Sequence, residues 1–285
     1  MSKAPASALT PLIDGLCFAE APRWRDGRLW FSDFFHAKVF SASEQGDLRA
    51  ECEVPAHPSG LGWRPDGHLL VVSMQDRRLL IQRDGQLQTL VDLTPLTGGH
   101  CNDMVVDAQG RAYVGNFGFD LYAGEPLRPT RLLRVDPDAS VHVVADDMVF
   151  PNGMAITPDG GTLIVAETHV HRLSAFDIAP SGALLRRRIW ADLPGVFVDG
   201  LCLDAEGAIW VADARGQQVL RVAPGGEIVR RVSSGAHNSY ACMLGGHDGR
   251  TLFVCTAPGI GPVQGARREG RIQTLRVDVP HAGLP

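Results

Sequence analysis

Short apolar runs alternate with turns rich in glycine, aspartate and proline along the whole chain. One phrase recurs six times: a small or polar residue, an apolar stretch, a turn that contains glycine, and a second apolar run. Each phrase predicts a β-hairpin whose Asp-Gly-type turn needs a positive φ. The turn glycines, which are separated by 40, 43, 50, 47 and 42 residues, are Gly27, Gly67, Gly110, Gly160, Gly207 and Gly249.

Further β-rich runs follow the hairpins. A third strand is predicted after every hairpin, as at residues 131–135 and 218–222, and a fourth after the first five, as at 141–144 and 227–230. No amphipathic helical stretch of normal length interrupts these runs. Four strands in about 40–50 residues are typical of a β-propeller blade. The sequence therefore predicts an all-β protein, a six-bladed propeller that forms a single domain over residues 1–285.

The two ends of the chain predict how the ring closes. Residues 271–277 form the third strand of the sixth phrase, and eight residues follow them. Residues 9–14 precede the first phrase as an outer strand precedes each of the others. Because an open propeller would leave two blade edges unprotected, we expect this N-terminal segment to be the fourth strand of the last blade.

Composition and charge narrow the function classes. The chain has 285 residues, 45% of them hydrophobic, and a formal net charge of −5. A mildly acidic chain without basic blocks is a poor ligand for nucleic acid or anionic membranes. No apolar run reaches the roughly 18–20 residues of a membrane helix, and the first residues lack the apolar core of a signal peptide. Six cysteines without CxxC spacing predict reduced thiols, so we expect a cytoplasmic protein. We also expect a monomer or a small homo-oligomer.

The first residue of each phrase lies at one mouth of the predicted central channel. These residues are Glu20, Ser59, Asn102, Asn152, Asp199 and Ala241. Two carboxylates in a partly desolvated channel repel each other, so either one becomes protonated or a cation joins them. Glu20, Asp199 and the amide oxygen of Asn152 form an all-oxygen set of charge −2, which suits a divalent cation. Three protein ligands leave room for water and substrate, as in catalytic metal sites. The alternative is an acidic channel filled with water.

Four segments resemble motifs of the gluconolactonase, regucalcin (senescence marker protein) and luciferin-regenerating-enzyme family. They are residues 20–24, 100–103, 151–153 with 167–168, and 198–201, in register in four blades. The resemblance covers nearly the whole chain and implies a metal-dependent hydrolase, chiefly of sugar lactones. It implies Glu20, Asn152 and Asp199 as ligands of one ion, Ca²⁺ or alternatively Zn²⁺, Mn²⁺, Mg²⁺ or iron. It also implies that Asn102 contacts the substrate.

One position departs from the family pattern. His100 stands where sugar-lactone members commonly have an arginine that binds substrate oxygens. An imidazole cannot make the bidentate contacts of a guanidinium, which disfavours an acidic or highly hydroxylated sugar lactone. The aromatic loop at 116–122 either lines a more apolar pocket or packs against the propeller. His100 and Asp120 join Asn102 as candidate substrate contacts.

The predicted reaction is hydrolysis of a small cyclic ester. The cation polarises the carbonyl, and Asp199 assists the attack of water as a general base. Two alternatives remain open: hydrolysis of another electrophile such as a phosphotriester, and a non-catalytic, ligand-binding propeller with a structural ion. The polar residues at the hairpin ends, including Asp33 and Asp213, are expected to support the site or cap turns. His169 and His171 alternate along a predicted strand, so at least one of them should face solvent.

Overall fold

The computed structural model describes residues 8–283, and in it the repeated phrases form six four-stranded antiparallel sheets. The chain enters through β1 (Thr10–Leu16). The first blade contains β2 (Ala19–Arg25), β3 (Arg28–Asp33), β4 (Lys38–Ala42) and β5 (Leu48–Glu53). The second contains β6 (Pro58–Trp63), β7 (Leu69–Ser73), β8 (Arg78–Arg83) and β9 (Gln86–Asp92). The third contains β10 (Cys101–Val106), β11 (Ala112–Asn116), β12 (Thr130–Val135) and β13 (Val141–Met148). The fourth blade contains β14 (Pro151–Ile156), β15 (Thr162–Glu167), β16 (Arg172–Ile178) and β17 (Leu184–Asp192). The fifth contains β18 (Val198–Leu203), β19 (Ile209–Asp213), β20 (Gln218–Val222) and β21 (Ile228–Ser233). The sixth contains β22 (Asn238–Gly245), β23 (Thr251–Ala257) and β24 (Gly270–Arg276), together with β1.

The hairpin turns are built as the repeat predicts. All six turn glycines have a φ between +70° and +89°, a conformation that side chains with a Cβ rarely adopt. In the first turn, Asp26 shares this left-handed conformation with Gly27, as a two-residue hairpin loop requires. The six-bladed propeller that the sequence predicted is confirmed.

The ring closes through β1, which is the outermost strand of the sixth blade. Ile13 lies opposite Ile272, and Leu16 lies opposite Gly270. On the inner side, β22 of the last blade packs against β2 of the first, as each innermost strand packs against the next. The expectation that the N-terminal segment completes the last blade is therefore confirmed.

The strand predicted through His169 and His171 is wrong, because these residues lie between β15 and β16. Glu167 lies opposite Arg172 in the β15–β16 ladder, so only the residues between them connect the two strands. Thr168–Val170 form a 3₁₀ turn, and His171 reverses the chain with a φ of +56°. His169 and His171 thus lie in a turn rather than on a strand. Two other short elements are a 3₁₀ turn at Thr94–Leu96 and helix α1 (Pro262–Ala266).

The six cysteines are free thiols, and five of them are buried. Burial raises the pKa of Cys101 to about 12, so this thiol stays protonated and behaves as a small apolar residue. No helix within residues 8–283 is long and apolar enough to cross a membrane.

Candidate active site on the propeller axis

Five of the six axial residues occupy the second position of an innermost strand: Glu20, Ser59, Asn102, Asn152 and Asp199. Ala241 is the fourth residue of β22. In all six innermost strands the pairing register shifts next to this residue. Such irregularities bend a strand and redirect its side chains. Four of the six residues line one cavity, namely Glu20, Asn102, Asn152 and Asp199.

Glycine follows several axial residues because neighbouring innermost strands approach closely there. A Cβ on Gly153 would lie 2.6 Å from the Cα of Gly200, and a Cβ on Gly200 would lie 2.4 Å from the Cβ of Ala241. Only glycine fits at these contacts. The tight packing therefore sets how closely Asn152 and Asp199 are held on adjacent blades.

The two axial carboxylates are strongly perturbed. Burial, and then the Asp199 charge, raise the pKa of Glu20 well above its ordinary value. Burial raises the pKa of Asp199 in the same way, and the charge of Asp103 adds to the effect. Glu20 accepts a hydrogen bond from the Ala21 amide at 2.9 Å, whereas Oδ1 of Asp199 is buried and has no hydrogen-bond partner within the described chain. A bound cation would stabilise the charged form of both carboxylates and would give Oδ1 of Asp199 a partner.

A buried ion pair lies beside these carboxylates. Nη2 of Arg23 is 2.8 Å from Oδ1 of Asp103, and the same guanidinium donates to the carbonyls of Leu61 and Met104. Arg23 thereby joins the first three blades. Because Arg23 pairs with Asp103, the carboxylates of Glu20 and Asp199 leave the group with a formal charge of −2. The sequence motifs contain Arg23 and Asp103, but their pairing across blades carries no local signal.

The axial amides are fixed through their nitrogens. Nδ2 of Asn102 donates to the Pro151 carbonyl at 3.2 Å, and Nδ2 of Asn152 donates to the Thr168 hydroxyl at 3.3 Å. The amide oxygen of each side chain is therefore the atom that remains for a ligand. Oxygen donors of this kind are those that hard divalent cations prefer.

The cavity above the axial residues has a volume of about 290 Å³ and a largely aromatic wall. Its rings are Phe18, Phe34, Phe117, Phe150, Phe197 and Tyr240. Phe117 stacks on Phe150 with 4.5 Å between ring centroids. Burial raises the pKa of Tyr240 to about 12, so its hydroxyl remains a hydrogen-bond donor. Gly259 and Ile260, from the glycine-rich segment before α1, complete the rim.

The sequence left open whether the aromatic loop at 116–122 lines the pocket or packs against the propeller, and in the structure it does both. Phe117 and Leu121 line the cavity, whereas Phe119 is buried against Phe150 with 5.9 Å between ring centroids. Tyr122 is 41% exposed and does not line the cavity.

His100 and Asp120 lie beside the cavity and are not part of its lining. The half-buried ring of His100 is 5.6 Å from the Tyr122 ring and 5.9 Å from the Phe117 ring. Oδ1 of Asp120 accepts hydrogen bonds from the amides of Tyr122 and Ala123. Both side chains therefore contact the loop that carries Phe117.

Two further lining residues escaped the sequence reasoning. His169 was assigned to a strand, and its ring instead packs edge-on against Phe150, with 4.9 Å between centroids. Arg215 follows the hairpin of the fifth blade, and its guanidinium lies 4.3 Å from the centroid of the Phe197 ring. Turn residues fall outside the repeating register, so no pattern in the sequence points to either of them.

The polar residues at the hairpin ends hold the loops that carry the aromatic wall. Asp33 accepts a hydrogen bond from the Phe18 amide at 2.8 Å, and Asp213 accepts one from the Phe197 amide at 3.2 Å. Glu167 accepts one from the Val149 amide at 2.8 Å, next to Phe150. The expected capping role is confirmed for these three blades.

A second group of potential metal ligands lies outside the cavity lining. Cys17, Asp33 and His36 each offer one donor atom, and these atoms lie within 4.8 Å of one another, a set that could hold a metal ion. The Asp33 carboxylate is already bonded, however, to the amides of Cys17 and Phe18 and to Nδ1 of His36 at 2.6 Å. These hydrogen bonds account for the burial of the Asp33 carboxylate.

The chain was compared with known proteins. A model of the family described as "SMP-30/Gluconolactonase/LRE-like region" matches residues 18–258. A 6-deoxy-6-sulfogluconolactonase of Pseudomonas putida is 25% identical over 84% of this chain and 82% of its own length. A pentonolactonase of Haloferax volcanii is 26% identical over 97% and 96%. The crystal structure of a regucalcin from Agrobacterium tumefaciens, titled a calcium-binding protein, has the same fold, with a TM-score of 0.82 at 20% identity over 98% of this chain and 96% of that one.

Proposed function

Because the chain belongs to the SMP-30/gluconolactonase/LRE-like family, as its motifs indicate, we propose that it is a lactonase that uses one divalent cation to hydrolyse a small cyclic ester. Relatives that cover most of the chain are named as lactonases. The observation that carries the proposal is the buried carboxylate pair of Glu20 and Asp199 at the floor of a cavity of about 290 Å³. A charged pair of this kind needs a cation, and the cavity above it admits a small substrate.

The donor set fits a divalent cation. The buried Oδ1 of Asp199 lacks a partner, and Glu20 brings a second carboxylate to the same cavity. Glu20, Asn152 and Asp199 would hold the ion through oxygen atoms, which favours Ca²⁺, with Zn²⁺, Mn²⁺, Mg²⁺ and iron as alternatives. When bound, such a cation supplies the positive charge that polarises an ester carbonyl and makes water more acidic.

The chain itself positions the reactants and moves the proton. Asp199 accepts the proton of the attacking water on its carboxylate and returns it to the leaving alkoxide as the ring opens. Asn102 orients the substrate, since its amide is fixed by the bond to the Pro151 carbonyl. The aromatic wall excludes bulk water, which strengthens the charge interactions at the cavity floor. His100 and Asp120 act beside the cavity, on a substrate that reaches beyond its rim.

We place the protein in the cytoplasm. Six free thiols suit a reducing compartment, and five of them are buried. The size of the cavity supports a small lactone as the partner of this protein.

A panel of lactones tests the proposal. The purified protein, supplied with Ca²⁺, is assayed with hydroxylated aldonolactones and with apolar γ- and δ-lactones. We expect turnover of at least one lactone, and a loss of at least 100-fold in kcat for Asp199→Asn. Ser59→Ala, at the equivalent position of β6, is the matched control and keeps its activity. A folded protein that hydrolyses no lactone would contradict the reaction and favour a phosphotriester or a purely bound ligand, which the same preparation can be tested with.

A further inference from the structure

The residues in the wall of the cavity indicate the class of substrate, which the axial residues alone do not. Among residues 8–283, six phenylalanine and tyrosine rings line it. Beyond the axial residues, the polar side chains that this part of the chain brings to the wall are those of Thr168, His169, Arg215, Asn238 and Tyr240. Of these, Thr168 is bonded to Asn152, and Asn238 lies at hydrogen-bonding distance from Tyr240. Few donors and acceptors therefore remain for a ligand at the wall.

A polyhydroxylated ring fits this wall poorly. Each sugar hydroxyl that leaves water must find a hydrogen-bond partner, and a buried hydroxyl without one weakens binding. Aromatic faces instead favour apolar rings, which gain both desolvation and ring contacts. The family arginine that binds substrate oxygens is replaced by His100, whose ring does not reach the cavity lining. The body of the substrate is therefore expected to be apolar.

One cation faces this apolar space. Within residues 8–283, Arg215 is the only arginine or lysine that lines the cavity, and no carboxylate lies within ion-pair distance of its guanidinium. Stacking on Phe197 at 4.3 Å holds it at the rim. Burial, and then the Arg215 charge, lower the pKa of His169, so His169 is neutral at pH 7 and Arg215 is left as the cationic group. Arg215 is exposed at the rim of the cavity, where a ligand can reach its guanidinium. A guanidinium without a carboxylate partner beside an apolar cavity is suited to a carboxylate ligand.

We propose that the natural substrate is a lactone with an apolar body and one anionic group, and that Arg215 binds this anion while the aromatic wall binds the body. The sequence disfavours an acidic or highly hydroxylated sugar lactone because His100 replaces an arginine. The structure places a guanidinium from a different blade, that of Arg215, next to the aromatic wall. The inference rests on the proposed lactonase reaction and specifies its substrate class.

Equilibrium binding tests the inference without turnover. Phenylacetate and its neutral isostere phenylacetamide are titrated by calorimetry into the Ca²⁺-supplied protein, with gluconate as the hydroxylated anion. We expect phenylacetate to bind roughly 10–100-fold more tightly than phenylacetamide, and more tightly than gluconate. Arg215→Gln should abolish the preference for the anion, whereas Arg49→Gln, an exposed arginine of β5, should keep it.

The outcomes distinguish the contributions that the aromatic wall, Arg215 and the axial cation make to binding. Tighter binding of gluconate than of phenylacetate would overturn the apolar body. A preference for phenylacetate that persists in Arg215→Gln would place the anion at the axial cation and overturn the role of Arg215. Equal binding of the two phenyl ligands to the unchanged protein would overturn it as well.

A kinetic comparison extends the test to substrates. γ-Carboxy-γ-butyrolactone and γ-valerolactone share one ring and differ by a carboxylate in place of a methyl group. Arg215→Gln should raise KM at least tenfold for the carboxylated lactone, with kcat nearly unchanged, and leave the neutral lactone unaffected. An equal effect on both lactones would overturn the inference. If neither these two lactones nor any lactone of the panel is hydrolysed while phenylacetate binding still depends on Arg215, the lactonase reaction fails and the ligand class stands.

Discussion

Arg23 and Asp103 form a buried ion pair, 2.8 Å from Nη2 to Oδ1, that joins the first blade to the third beside the axial carboxylates. Both side chains are almost fully buried. Burial raises the pKa of Asp103, and the Arg23 charge opposes that rise. The Arg23 guanidinium therefore offsets the charge of a third carboxylate close to Asp199.

Loss of Arg23 should destabilise the fold strongly. In Arg23→Met, the Asp103 carboxylate stays buried without its partner, and we expect a loss of about 3–5 kcal/mol in the free energy of unfolding in urea. Arg49→Met, at an exposed position, is the control and should change little. The double variant Arg23→Met with Asp103→Asn should lose less than the sum of the single losses. Additive losses would show that the two side chains act independently.

Removal of the Glu20 charge should separate fold stability from cation binding. In chelator-treated protein, Glu20→Gln removes one of two repelling buried carboxylates, so its melting temperature should exceed that of the unchanged protein. The unchanged protein should gain about 2.7 kcal/mol from Ca²⁺ at 100 times its Kd, and Glu20→Gln should gain much less at the same concentration. Glu53→Gln, on the exposed face of β5, should behave like the unchanged protein. A variant that keeps the full Ca²⁺ effect would exclude Glu20 as a ligand.

Glu167 should make stability depend on acid pH. Burial raises its pKa, but hydrogen bonds from Arg172, Ser174, Val149 and Arg187 outweigh this and hold the pKa below its ordinary value. Its contribution is therefore complete above the ordinary glutamate pKa of about 4.3 and is lost as the pH falls through the lower folded value.

Glu167→Gln should accordingly lose about 1–3 kcal/mol at pH 7. Urea unfolding from pH 7 to pH 3 should show this difference shrinking below about pH 4. Glu206→Gln, whose carboxylate is exposed and pairs with Arg221, serves as the surface control. A difference that is constant with pH would mean that the carboxylate charge is not responsible.

Closure of the ring should depend on β1. Ile13 is buried opposite Ile272 in the sixth blade, so Ile13→Ala should reduce the free energy of unfolding by about 2–5 kcal/mol. Thr10→Ala, at the exposed start of the same strand, should have little effect. Equal, small effects of the two substitutions would indicate that β1 contributes little to closure.

The repeat accounts for most of what the sequence predicts. Once the six phrases are aligned, the blade number, the closing strand and the axial positions of Glu20 and Asp199 follow from register alone. Each axial residue lies on a strand whose ends are fixed by apolar periodicity and a glycine turn.

The substrate-facing wall is not predictable in the same way. Phe18, Phe150, Phe197 and Arg215 come from different loops, and loops carry no period that would bring them together. His169 was misplaced because a turn of four residues between Glu167 and Arg172 has the same polar alternation as a strand. Loop geometry is set by hydrogen bonds to the strand ends, which become visible only in three dimensions.

Titration of a divalent cation into chelator-treated protein, with lactone hydrolysis followed at each step, tests the central claim most directly. The account predicts no turnover without the cation, and activity that rises to saturation at one ion per chain. Asp199→Asn should show neither the activity nor tight binding of the ion. Full turnover in the absence of any divalent cation, or unchanged binding and turnover in Asp199→Asn, would contradict an axial metal site that hydrolyses lactones.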